Sequence, residues 1–254
     1  MYTFDIQLDL SEAAYDGYVD EECKMILGYL EETSQILSSS FQCTQEGNIA
    51  RIPVVCPAMD SLDEKYRMPV CSSIITRLEA HLKRTITFVH TGTEVRAADY
   101  EVPEKSSWFI LKYREFSPLK CGDTYEPIPL YRIPFTTDYQ SYQNVTLWLS
   151  NYESIYTLWS IGTIGEQSTL RQMQDAESTL SKEGREVCRR IEASTGVPTY
   201  YFLMNWRAWG RKKDEARKCP GCGGDWLIPE ATFNDYIAFK CDNCRLVSEL
   251  SSNC

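Results

Sequence analysis

Four cysteines near the C-terminus constrain this chain more than any other feature. Cys219-Pro-Gly-Cys222 and Cys241-Asp-Asn-Cys244 are two C-x-x-C pairs separated by 18 residues, a spacing within the zinc-ribbon range. Two thiolates two residues apart on a tight turn both reach one ion, and a second such turn completes a tetrahedron. Gly221, Gly223 and Gly224 offer the positive φ and close backbone approach that such knuckles require. Strands are expected over 225–228 and 236–240, with Trp226 and Phe239 as a small core. About fifty residues bury too little apolar surface to fold alone, so metal binding is expected to supply the folding free energy. Four thiolates also close the coordination shell. The expected Zn2+, one per chain on Cys219, Cys222, Cys241 and Cys244, is therefore structural and not catalytic.

The rest of the chain reads as globular. Over 254 residues, 43% apolar and 24% charged residues exclude disordered, collagen-like and membrane classes. No apolar run approaches the ~18 residues a membrane span needs, so no membrane partner is expected. MYTFDIQLDL has neither a basic flank nor an apolar core, and no signal peptide is expected. Eleven cysteines without an export signal point to a reducing compartment, the cytoplasm, and away from a disulfide framework.

Period-two alternation over residues 2–10 predicts a strand buried on one side. From Asp20 the period becomes helical, with Cys23, Ile26, Leu27, Leu30 and Leu37 turned inward. Ile49–Cys56 reads as a strand. Ser61-Leu-Asp-Glu64 fits a capping box, with Pro69 dividing the helical segment after it. A helix over 70–83 and strands near 85–90 and 107–113 come next. Residues 117–134 hold four prolines and read as an ordered loop or irregular hairpin. Trp148, Tyr152, Ile155, Tyr156 and Trp159 recur at helical spacing, a core stripe. Thr163-Ile-Gly-Glu166 fits a second capping box that opens one long helix, ended by Gly196 and Pro198. Thr199–Leu203 reads as a strand. The expected fold is α+β, a mixed sheet covered by helices with a small C-terminal four-cysteine zinc ribbon. Residues 1–204 would form the main domain, and 205–254 a basic linker plus the ribbon.

Charge is unevenly placed. Residues 1–64 hold 13 acids and two bases, while 65–254 hold 23 acids and 24 bases. Such a surface repels nucleic acid and steers a basic protein towards it, although a solvated acidic face that only aids solubility gives the same pattern. Asp16, Asp20, Glu21, Glu22, Glu31 and Glu32 are the candidate partner-binding acids. A smaller reversal lies at 207–218, six bases against two acids. Trp206, Arg207, Trp209, Arg211, Lys212 and Lys213 there make a composition suited to single-stranded nucleic acid, or equally an exposed linker.

No catalytic signature stands out. Cys121-Gly-Asp-Thr124 resembles half a knuckle, but it has one thiol and no matching pair, and a buried turn cysteine accounts for it. There is no P-loop, no H-E-x-x-H and no G-x-S-x-G, and only His81 and His90 are histidines.

The chain resembles a bacterial family of zinc-ribbon-containing proteins of unknown function with a suggested nucleic-acid role. The resemblance runs through Pro118-Leu-Lys-Cys-Gly with Ile128-Pro-Leu-Tyr-Arg-Ile-Pro134, then Gly196-Val-Pro-Thr-Tyr-Tyr-Phe-Leu203. It continues through Cys219-Pro-Gly-Cys-Gly-Gly-Asp-Trp226 and Phe239-Lys-Cys-Asp-Asn-Cys-Arg-Leu-Val-Ser248. It implies the four metal ligands. Thr124 stands where relatives carry a second cysteine, which leaves no second metal site implied. The expectation is a non-enzymatic protein acting by stoichiometric protein–protein contact, for instance an immunity protein neutralising a basic toxin. Single-stranded nucleic-acid binding is the alternative.

Overall fold

The computed structural model describes residues 1–37, 41–97, 99–113, 116–162, 164–206, 210–228 and 236–251. The chain divides into two compact units, Met1–Val102 with Pro129–Tyr142, and Pro103–Ile128 with Gln143–Cys254.

In the first unit, strand β1 (Tyr2–Asp9) alternates as its sequence dictates, with Phe4, Ile6 and Leu8 buried. Helix α1 (Gly17–Glu32) begins where Asp16 accepts a hydrogen bond from the Val19 amide (2.9 Å). A short strand β2 (Thr44–Glu46) leads into β3 (Ile49–Cys56), then helix α2 (Pro69–Leu82) and strand β4 (Thr87–Thr93). The sheet order is β2-β3-β1-β4, antiparallel throughout, with Phe4 opposite Val54 and Ile6 opposite Ile52. This β-α-β-β-α-β path is a ferredoxin-like topology. Inward residues of the sheet form one apolar cluster with Val19, Cys23, Ile26 and Leu30 of α1 and Ile74, Ile75 and Leu78 of α2. β2 is polar and exposed throughout, so no hydrophobic pattern announces it. The capping box at Ser61 does not form. Ser61 is buried, and its hydroxyl instead accepts from the Ala58 amide (2.9 Å) and pairs with the Tyr131 hydroxyl (2.8 Å). Glu64 opens a single 3-10 turn, and Pro69 starts α2 at its first turn instead of dividing a helix.

The second unit has a five-stranded mixed sheet, ordered β6-β5-β7-β9-β8. Its strands are β5 (Phe109–Leu111), β6 (Leu119–Cys121), β7 (Thr199–Leu203), β8 (Phe239–Cys241) and β9 (Leu246–Ser248). β5 and β9 flank β7 in parallel, and each carries an antiparallel outer neighbour. Helices α3 (Gln143–Ile161), α4 (Glu166–Gln174) and α5 (Thr179–Thr195) connect β5 and β6 to β7. All five residues of β7 are buried, because both faces of the strand are covered. Tyr200 and Phe202 join Ile110, Ile237 and Val247 in one cluster. Tyr201 meets Trp148 of α3 edge-on at 6.0 Å.

Two expectations are corrected here. The long helix is two helices. α4 begins after Gly165 in the left-handed region (φ 67°) with no side-chain cap, and Thr163 lies outside the described residues. Ser178 then caps α5 by accepting from the Ser181 amide (3.1 Å), and Glu177 lies in the turn between the helices. In place of a strand over 225–228, only Leu227 bridges to Phe239. Residues 205–254, expected as a linker plus ribbon, lie within the second compact unit. β9 of the cysteine module pairs with β7 in the register Tyr201–Leu246 and Leu203–Ser248, so the module is part of the second unit's sheet.

Candidate metal centre and surface sites

The two C-x-x-C pairs converge. The sulfurs of Cys219, Cys222, Cys241 and Cys244 all lie within 4.8 Å of one another, and this set can hold a metal ion. Cys222 and Cys241 Sγ are 3.7 Å apart, close to the ~3.8 Å edge of a tetrahedron with Zn–S bonds of about 2.3 Å. Each pair sits on a turn built to present sulfur. In the first, the Gly223 amide donates to the Cys219 carbonyl (2.8 Å) and the Cys219 amide to the Gly224 carbonyl (2.9 Å). Gly223 has φ 71°, and a Cβ on Gly221 would come within 2.7 Å of Cys244 Sγ. Gly224 has neither demand, as a Cβ there meets Cys222 Sγ at an ordinary 3.5 Å. Its amide hydrogen bond instead leads the interactions that hold the Cys222 thiol below its usual range. In the second turn Arg245 takes the positive φ (51°). Its guanidinium grips Glu192 of α5 through two bonds of 3.0 and 2.8 Å. Trp226 and Phe239 pack with tilted rings at 5.0 Å between centroids, the expected small core.

The turn at 121–125 repeats this shape without a ligand set. The Tyr125 amide donates to the Cys121 carbonyl (2.8 Å), and Tyr125 has φ 65°. Cys121 is buried, 3.8 Å from the Lys105 carbonyl. Burial also pushes the Cys23 and Cys56 thiols up to about 12 and Cys71 to about 11, so they stay protonated at neutral pH.

The candidate acids scatter by role. Asp16 caps α1, and Asp20 pairs with Lys24 at 2.6 Å. Glu22 is buried and accepts two bonds of 3.0 Å from Arg77, so it is unavailable to a partner. Glu32 is half-buried, and burial raises its carboxyl. Glu21 is exposed, and Glu31 is half-buried. Further along the same unit, Arg84 pairs with Asp9 and Glu12, and Arg132 with Asp60. Bases from beyond residue 64 therefore fold back onto the acidic segment.

The basic stretch is also partly spent. Arg207 and Trp209 lie outside the described residues. Trp206 is 42% exposed and packs edge-on against Trp159 at 4.9 Å. Arg211 pairs with Glu215 at 2.8 Å on the short helix α6 (Arg211–Glu215), where Lys212 and Lys213 are exposed. Asp214 is fully buried, a position that composition did not reveal. It accepts from Asn205 (3.1 Å to each oxygen) and from the Ser251 amide (2.7 Å), and it pairs with Arg217 (2.7 Å).

A mixed α and β chain bearing a C-terminal cluster of four cysteines able to hold a metal ion is the class that fold and site define. A domain of unknown function, DUF2310, matches residues 103–204, and a second, DUF8594, matches 210–254. An uncharacterized protein of Haemophilus influenzae is 32% identical over 203 residues, covering 79% of this chain and 77% of its own. Another uncharacterized protein of that organism is 40% identical over 137 residues, 54% of this chain and 66% of its own. The chain belongs to this bacterial family of unknown function. The model matching the cysteine module does not describe it as a zinc ribbon, so the expected family stands at that coarser level. No solved structure matches the chain. Among the described residues, no helix is long and apolar enough to cross a membrane.

Proposed function

We propose that this is a non-enzymatic cytoplasmic protein that binds a basic protein partner through its acidic first unit, with one structural zinc in the cysteine module. The charge of the units carries the reading. The first unit holds 18 acids against nine bases, a net −9, and the second is close to neutral at −1. A surface of this sign raises the encounter rate with a cation-rich partner and disfavours nucleic acid. A toxin acting on nucleic acid is basic for the same electrostatic reason, and an immunity protein against such a toxin is the concrete instance of the proposal. The four thiolates suit zinc, and the closed shell leaves no position for water or substrate.

Affinity purification from the native bacterium tests it. A stoichiometric basic protein is expected, with association that slows as salt rises and weakens in the Glu21→Lys/Glu31→Lys double variant. Recovery of no such partner, or a complex indifferent to both changes, contradicts the docking reading. Nucleic-acid binding has less support, since the acidic first unit repels phosphate and Arg217 is held by the buried Asp214.

A further inference from the structure

A cleft of about 680 Å3 opens in the second unit between α4, the C-terminal end of β7 and the first cysteine knuckle. We propose that it binds a nucleotide, a flat heterocycle carrying phosphate. Volume is the first argument, since ligand pockets of 300–1,000 Å3 enclose molecules of about this size. Position is the second: the cleft lies at the carboxyl end of a strand flanked in parallel on both sides, the edge where open parallel sheets bind ligands.

Chemistry narrows the class. The floor is apolar, formed by Leu170, Leu203, Met204 and the buried Trp226, a surface for a ring and not for a solvated ion. Two amides line it. Asn205 spends its Nδ2 on Asp214 and the Glu249 carbonyl (3.3 Å), which leaves Oδ1 as the acceptor it offers. Gln174 has a buried Nε2 with no hydrogen-bond partner among the described residues, a donor that an acceptor would satisfy. One donor and one acceptor complement the edge of a base. At the rim stand two cations. Arg171 is 76% exposed and engages Asp175 through Nε alone (3.3 Å), and Lys218 is 58% exposed beside the still more exposed Asp225. Exposed pairs of this kind contribute little and exchange readily for a phosphate. Arg171, Arg217 and Lys218 line the cleft; Arg217 is held by the buried Asp214, whereas the acids beside Arg171 and Lys218 are Asp175 and the exposed Asp225.

The test is calorimetric titration of the full chain, purified without chelator, with AMP, GMP, CMP and UMP. The matching nucleosides and inorganic phosphate are titrated in parallel. At least one monophosphate is expected to bind saturably, with its nucleoside and phosphate each weaker by about tenfold or more. Arg171→Gln/Lys218→Gln, both exposed and harmless to the fold, lowers that affinity by about tenfold. Leu170→Trp, which fills the cleft while both cations are retained, abolishes it. No saturable binding up to about 5 mM, phosphate binding as tightly as the nucleotide, or affinity unchanged in both variants overturns the proposal. The cleft and the acidic surface lie in different units and take different ligands, so either reading can fail alone.

Discussion

Gly184 lies in α5 where a side chain has no room. A Cβ there would meet Tyr201 Cε2 at 2.2 Å and Trp148 Nε1 at 2.7 Å. Replacing glycine by alanine in a helix ordinarily gains up to about 1 kcal/mol. At Gly184 the overlap with two aromatic rings outweighs that gain, and Gly184→Ala is expected to destabilise by about 1–3 kcal/mol. Gly28 in α1 is the control, since a Cβ there meets nothing within 4 Å. Gly28→Ala is expected to stabilise by about 0.5–1 kcal/mol. Urea unfolding of both variants checks the opposite signs.

At the scale of elements, the contact between α5 and the second knuckle has a pH signature. The Arg245 hydrogen bonds hold the Glu192 carboxyl below its usual value, and the Thr199 amide (3.2 Å) adds to the effect. A carboxyl lowered in the folded state contributes stability that is full above its unfolded value of about 4.3. That contribution disappears as pH falls from there through the lowered folded value. Unfolding midpoints of the parent chain are therefore expected to drop on this acid limb. Glu192→Gln should flatten that part of the profile while lowering stability at neutral pH. Equal acid slopes in parent and variant would refute the assignment.

At the scale of the whole molecule, a metal held by the four cysteines would be coupled to more than their own module. β9 hydrogen-bonds β7, the buried strand of the second sheet. Removing the ion should therefore loosen β7 as well as the module. A strong chelator is expected to cost amide-exchange protection at Tyr201, Leu203 and Leu246, while Phe4 and Ile6 in the first unit keep theirs. Protection lost only within 219–248 would show that the module folds apart from the sheet. Charge also reads differently at this scale. The excess seen in residues 1–64 is partly neutralised by Arg77, Arg84 and Arg132, and the remainder belongs to the folded unit.

Local patterns carried much of this in the linear chain. Alternation foretold β1, helical period foretold α1 and α2, and the double C-x-x-C spacing foretold the sulfur cluster, because each depends on neighbours a few residues apart. The polar strand β2, the burial of Asp214 and Glu22, and the pairing of β9 with β7 had no such signal. Each rests on contacts between distant segments: Glu22 is tolerated inside because Arg77 reaches it, and Asp214 because Asn205, Arg217 and Ser251 surround it. The amino-acid sequence determined which sulfurs gather and which faces turn inward. Tertiary structure alone decided which charges remain free for a partner and where a cleft opens, since both depend on the distant segments that packing brings together.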